Sequence, residues 1–539
     1  MGTYKGTSAA DTITPGEISG GVGRVPAGSF PSTDADALDG RRGNDILDGG
    51  GGADAIRGGG GDDEIGDNVG RGQAGVDLDT PNAGNVIHGD AGNDEIRIEG
   101  RDAGGENPFG NTAYGEGGRD LIEFIFYGDL DQGVNSGRSP TGAIVGSGGA
   151  GADTLRVDSV AIQPTDLTVT LKGGAGADKL SATAWIVEYD GSAMGGGNPD
   201  RLVGGAGDDV YEVYEQKDLV VERPNEGYDT VVARDTDYTL PSDVEKLEMN
   251  PAIYGTDPKD RHGVGNDLDN LILGWAVTDG VQRLDGAGGD DVIYGGTFAD
   301  AIDGGDGNDT LYGRRDGLGD TDTDTLRGGP GNDKIHGGLG IDDRADTADE
   351  VYGDAGNDDI WAGGGDDMVY GGDGNDNLYG QSDNDTLRGG AGNERVYGGT
   401  GNDTLYGDLG ADTVRGGAGL DLCDGGAGND RYDYKDVTDS SPGEANRDVI
   451  LAFDGVGKAA GDRIDLATID AKPGISGNQA FTFKGAGAIT GPGQVHVVAS
   501  GDDTLVRANT GGSLDPELEI LVKDGAAGPS QWVAGDFIL

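Results

Sequence analysis

The chain has 539 residues, of which only 34% are hydrophobic and 111 are glycine, against about 45–50% apolar residues in ordinary globular proteins, so a single conventional core is excluded. Its 99 acidic residues against 38 basic ones leave a formal charge of −61, which disfavours nucleic acid and anionic membrane surfaces as partners and attracts cations. The lone cysteine, Cys423, excludes an intrachain disulfide framework and any multi-cysteine zinc or iron–sulfur site.

Residues 1–36 form an N-terminal segment. Its opening, MGTYKGTSAADTITPGEI, has neither the basic start nor the apolar run of a secretory signal, and no transmembrane span is predicted along the chain. From Gly40 to Gly66 three consecutive nonapeptides follow the pattern Gly-Gly-x-Gly-x-Asp-x-aliphatic-x. Isolated copies follow around Asp94, Asp153, Asp178 and Asp209, so 37–285 is predicted to be a degenerate β-solenoid with scattered repeats. Within it, YDTVVARDTDYTLPSDVEKLEM (228–249) and GNDLDNLILG (265–274) read as β-rich scaffold. Three further copies run from Gly286 to Tyr312, one surrounds Asp333, and nine run without a gap from Gly353 to Asp433. The breaks at 313–323 and 341–348 are expected to be surface insertions. Residues 434–539 form a separate C-terminal region without the repeat.

Each unit divides into two parts. The first six residues are a glycine-rich turn, where missing Cβ atoms permit positive φ and close backbone approach. The last three, such as Thr404-Leu405-Tyr406, alternate polar, aliphatic, polar and predict a three-residue strand with its middle side chain inward. Two units then make a flattened coil of 18 residues, and units i and i+2 stack. The expected core is two ribbons: Ile360, Leu378, Val396, Val414 and Tyr432 on one side, and Val369, Leu387, Leu405 and Cys423 on the other. Cys423 therefore reads as a buried small hydrophobe.

The same stacking brings one carboxylate per turn close to its neighbours, where uncompensated charges repel strongly. Carboxylates together with glycine-turn carbonyls form an oxygen-only ligand set, which suits calcium rather than zinc or copper. The predicted metal ligands are Asp45, Asp54, Asp63, Asp94, Asp153, Asp178, Asp209, Asp291, Asp300, Asp309, Asp333, Asp358, Asp367, Asp376, Asp385, Asp403, Asp412, Asp421 and Asp430. Glu394 replaces the aspartate of its unit, so that site is expected to bind more weakly or differently.

The pattern resembles the calcium-binding nonapeptide of RTX (hemolysin-type) proteins. The resemblance implies an all-β fold: a parallel β-roll over 286–433 with calcium between successive turns. After it, RDVILAF (447–453), GDRIDLATIDA (461–471), NQAFTF (478–483), DTLVRANT (503–510), ELEI (517–520) and the terminal GDFIL resemble the C-terminal domain that follows the roll in serralysin-type secreted proteins. That likeness implies capping of the roll and export by type I secretion machinery on an uncleaved C-terminal signal, here ending Asp536-Phe537-Ile538-Leu539. The turn before ELEI is TGGSLDP (510–516), which departs from the family's acidic, glycine-rich turn, so no metal site is carried onto it. The family's HExxH protease motif is absent, since His88, His262, His336 and His496 are not so arranged.

Other constellations carry little. Gly-x-Gly-x-x-Gly occurs at 70–75 and 146–151 without the strand and helix that nucleotide binding requires, and no Gly-x-Ser-x-Gly elbow or phosphate loop is present. DTDTDT (320–325) lacks the glycine and closing glutamate of a calcium-binding helix-loop-helix motif and reads as an insertion loop. His88 and His336 are expected at solvated strand ends. Ninth-position Trp361, Tyr370, Tyr379, Tyr397 and Tyr406 suit strand propensity, the other reading being an outward aromatic ladder for a cell-surface glycan. No catalytic residue is singled out. The function expected is a secreted, extracellular calcium-binding protein that folds on extracellular calcium and has a structural, surface or adhesive role. The alternative is an extracellular polysaccharide-acting enzyme with its site in 67–285.

Overall fold

Alternating polar and aliphatic residues after each glycine turn generate short parallel strands, and a computed structural model shows how they stack. It describes residues 3–6, 8–13, 23–25, 36–50, 54–67, 85–101, 111–127, 141–160, 166–185, 199–234, 236–250, 260–274, 281–297, 299–314, 322–338, 347–458, 460–474, 476–511, 514–524 and 527–539. The motif at 70–75 and most of the two insertions lie outside these residues; the motif at 146–151 lies largely within the strand Thr141–Ala150. The fold is all-β: among the described residues the one helical turn is Ala534–Asp536, and no helix is long and apolar enough to cross a membrane. The chain forms two compact units, Met1–Gly255 and Thr256–Leu539.

In the second unit both predicted ribbons are present in register. Ile360, Leu378, Val396, Val414 and Tyr432 pair successively, as do Val369, Leu387, Leu405 and Cys423, and all nine are buried. The first unit has the same construction. One sheet carries Leu38, Ile56, Ile87 and Ala113, and the other carries Ile65, Ile96, Ile122, Leu155, Leu180, Tyr211 and Val231. In the roll, apolar burial is largely this pair of thin columns, which suffices despite the low hydrophobic content; in the first unit Ile98, Phe124, Val157 and Ala182 stack as a further buried column.

Some strands have the expected three residues, such as Thr310–Tyr312 and Lys334–His336, and others are longer. Thr404–Gly410 runs from one unit through the turn of the next and pairs Gly390 with Asp408 and Gly392 with Gly410. The turns stack as well as the strands: the Gly401 amide donates to the Ala418 carbonyl at 2.9 Å, so turn backbone finds partners that an isolated turn would lack. Glycine is required here for two reasons. Gly399 and Gly401 have φ of 123° and 144°, and a Cβ on either would strike the carbonyl oxygen of Gln381 or Asp383 on the neighbouring coil.

Beyond Asp433 both sheets continue into the C-terminal region. Arg431–Asp433 pairs in parallel with Arg463–Asp465, and Leu422-Cys423 pairs with Val449–Ile450, which pairs with the strand Leu518–Val522. The last strands then turn antiparallel, Leu518–Val522 against Asp503–Asn509 and that strand against Gln494–Ser500.

Candidate metal centres

The repeat places its aspartate at the junction of turn and strand, and the coil stacks these residues into ladders. In the first unit the backbone amide of each donates to Oδ1 of the next through Asp11, Asp45, Asp63, Asp94, Asp120, Asp153, Asp178, Asp209 and Asp229, at 2.6–2.9 Å. Asp229 ends the series by donating its amide to Glu245 at 2.7 Å. On the opposite edge, Asp36 is linked to Asp54 and Asp54 to Asn85. The second unit has two ladders. One joins Asn270, Asp291, Asp309, Asp333, Asp358 and Asp376, and resumes from Glu394 through Asp412 and Asp430 to Asp462. The other runs Asp300, Asp324, Asp349, Asp367, Asp385, Asp403, Asp421, Asp448.

All nineteen predicted aspartates therefore lie on these ladders, and each is at most 3% exposed. Sequence reasoning missed Asp11, Asp36, Asp120, Asp229, Asp324, Asp349, Asp448 and Asp462. Asp324 is the correction to the insertion-loop reading of 320–325: Asp324 is buried in a ladder and Thr325 opens the strand Thr325–Pro330.

One oxygen of each carboxylate is engaged and the other is not. Apart from Asp300, whose Oδ2 accepts from the Gly296 amide, and Asp367, which has a further polar partner, every predicted aspartate buries an Oδ2 with no hydrogen-bond partner. Burial pushes Asp291 and Asp385 up to about 8, and Asp54, Asp94, Asp333, Asp358, Asp421 and Asp430 up to about 7. The amide hydrogen bond of the preceding rung opposes the shift without cancelling it, and neighbouring carboxylates add to it. A buried carboxylate in this state takes up a proton or a cation.

The surroundings fit a cation. A Cβ placed on Gly398 would collide with both Asp403 Oδ2 and the Gly416 carbonyl, and the same pair of oxygens recurs at Gly353, Gly371, Gly380 and Gly407. Each cradle thus combines an unengaged carboxylate oxygen with a carbonyl from the next coil, and both are hard ligands. Glu394 differs: its longer side chain brings its carboxyl against Asp412, and burial together with that neighbour pushes it up to about 9.

Outer positions form ladders of another kind. Asn332, Asn357, Asn375 and Asn393 each donate Nδ2 to the Oδ1 of the preceding asparagine at 2.9–3.0 Å. Tyr294, Tyr312, His336 and Trp361 stack at ring separations of 4.6–4.9 Å, and Tyr379 continues the stack at 5.7 Å. Their faces are covered by one another, so the ladder offers ring edges rather than flat platforms. His336 is accordingly not a free solvated side chain, and burial lowers its pKa. His88 stacks on Tyr114 and pairs with Glu116 at 2.8 Å. Cys423 is 2% exposed and burial pushes its thiol well up, which suits its apolar slot.

The model of the RTX calcium-binding nonapeptide repeat matches residues 32–65, 82–97, 189–213, 285–316, 318–343, 345–378, 370–405 and 397–432. The chain carries RTX calcium-binding repeats. Most ladder aspartates sit within these matched segments, whereas Asp11, Asp120, Asp153, Asp178, Asp229, Asp448 and Asp462 lie outside them; RTX repeats bind calcium. Among solved structures, the chain is similar to the AlgE6R3 subunit of the Azotobacter vinelandii mannuronan C5-epimerase, with 28% identity over 29% of this chain and 79% of that one, at a TM-score of 0.23. No curated protein matches the chain.

Proposed function

We propose that this is a secreted calcium-responsive scaffold whose RTX repeats fold when calcium fills the aspartate ladders, and which has a structural or surface role outside the cell. One observation carries the reading: rung after rung buries a carboxylate oxygen with no partner beside a carbonyl of the next coil. The nineteen aspartates named from the repeat hold the ions, and Asp120 and Asp448 extend the set. At cytosolic calcium the ladders are uncompensated and the chain stays expanded, a form suited to export. Outside, sites with dissociation constants of about 10⁻⁴–10⁻³ M fill. The 434–539 region closes the open sheet edges and supplies the export address.

The test is far-UV circular dichroism of the full chain across a calcium titration. A β signal that appears cooperatively with calcium and disappears on chelation is expected; a signal indifferent to chelator contradicts the reading. A hydrolase and lyase screen of the calcium-loaded chain addresses the surface role, and turnover of a polysaccharide would move the assignment to an extracellular enzyme.

A further inference from the structure

Two side chains of the first unit break the repeat inside its buried column. Tyr211 occupies the slot that Leu180 and Val231 fill on adjacent coils and is 0% exposed. Val203 pairs with Val221, and continuing that register by one residue sets Glu222 opposite Gly204, where the repeat has its first glycine. Glu222 is only 9% exposed.

These polar groups converge. A Cβ on Gly204 would collide simultaneously with Asp209 Oδ2, the Tyr211 hydroxyl and Glu222 Oε1. Ligand oxygens of Asp209, Glu222 and Asp229 lie within 4.8 Å of one another, and all three residues are buried. Asp209 Oδ2, the Tyr211 hydroxyl and both carboxylate oxygens of Glu222 have no hydrogen-bond partner of good geometry; burial and the neighbouring Asp229 and Asp209 push Glu222 up, and the Gly205 amide opposes them only in part. The second unit supplies an internal control. Tyr432 stands in the equivalent slot, but its hydroxyl accepts from the Gly425 amide at 2.8 Å and donates to the Ala452 carbonyl at 2.7 Å. Backbone can satisfy a tyrosine in this slot, and at Tyr211 it does not.

We propose that Asp209, Tyr211, Glu222 and Asp229 form a calcium site built from side chains, distinct in its ligand set from the carboxylate-and-carbonyl cradles of the repeat. Three carboxylates and a phenol oxygen contain no soft or nitrogen donor, which selects a hard cation. Magnesium ordinarily keeps several waters and near-ideal octahedral geometry, so a buried, side-chain-rich set favours calcium. The site rests on the calcium reading of the repeats in one respect, because Asp209 and Asp229 are also rungs of a ladder.

Native mass spectrometry of the full calcium-loaded chain counts the ions, with Glu222→Gln and Tyr211→Phe as variants. Glu222→Gln is expected to hold one calcium fewer while keeping the remaining ions and the circular dichroism transition. Tyr211→Phe is expected to release one ion at a several-fold lower chelator concentration than the wild type. An unchanged ion count in a folded Glu222→Gln chain overturns the site and indicates a protonated glutamic acid instead. Should that variant not fold, an unchanged release profile in Tyr211→Phe overturns it equally. A wild-type chain with no bound calcium would overturn the repeat reading as well, whereas a loaded wild type with unaffected variants overturns this site alone.

Discussion

The ladders and the C-terminal region bury carboxylates in opposite ways. Glu519 is 4% exposed, yet Arg447 and Arg507 each donate to it at 2.7 Å. Burial alone would raise its pKa, but the two arginine hydrogen bonds outweigh burial and hold it below the ordinary carboxylate value. At the last residue of the roll, Asp433 is likewise held low despite burial, by Lys435 and Arg415. Ladder residues such as Asp385 and Asp421 are as deeply buried, have no such ion pair among the described residues, and are pushed up instead. Glu519 and Asp433 have counter-charges within the chain; the ladder carboxylates, including Asp448 and Asp462 where the ladders enter the C-terminal region, take theirs from solution. Calcium dependence should therefore be confined to the ladders.

The largest expected contrast is in pH dependence without calcium. Ladder aspartates have folded-state values raised from 3.8 to as high as about 8. Across that window the folded state binds more protons than the unfolded one, so stability falls as pH rises. In chelator, acidification from pH 8 toward pH 5 should restore β signal to the ladders; in saturating calcium it should lower their urea midpoint, because protons displace the ions. Glu519 has the opposite sign: its contribution is complete above its ordinary value of 4.5 and is lost as pH falls through its depressed value. A common pH response in both regions would erase the distinction.

Next in size is Glu519→Ala, which leaves Arg447 and Arg507 without their shared carboxylate. Breaking one partner of a buried pair costs about 3–5 kcal/mol, and urea unfolding followed at Trp532 should show that loss equally with calcium and with chelator. A loss confined to calcium would tie Glu519 to the metal system. Smallest is Glu394→Asp, which restores the repeat residue at a rung where the longer side chain crowds Asp412. If one site regains calcium, it should add about 1.4 kcal/mol at tenfold saturation, read as a lower calcium midpoint and one more bound ion.

Much of this was legible in the sequence because the nonapeptide spacing fixes the register: once Leu387 stacks on Leu405, Asp385 must stack on Asp403. The missed rungs kept only the second half of the unit. Asp324-Thr-Leu, Asp349-Glu-Val, Asp448-Val-Ile and Asp462-Arg-Ile retain Asp-x-aliphatic after insertions or outside the repeat, and that fragment sufficed to hold a rung. Asp120 had a stronger signal, since Gly115, Gly118 and Ile122 match their positions and Glu116 alone replaces the second glycine, at a φ of 78°. The long strands were not legible, because turn-to-turn hydrogen bonds arise only when coils stack. The cluster at Glu222 was hidden for a related reason: its residues depart from the repeat, and only the fold brings them to one point.

The most direct measurement is hydrogen exchange of the full chain, resolved by peptide, with and without calcium. Amides bonded along the ladders, such as those of Asp367, Asp385 and Asp403, should lose protection on chelation, while the antiparallel strands 494–500, 503–509 and 518–522, anchored by Arg447, Arg507 and Glu519, should lose markedly less. Equal protection of the ladders in both conditions would contradict the claim that their buried carboxylates depend on calcium.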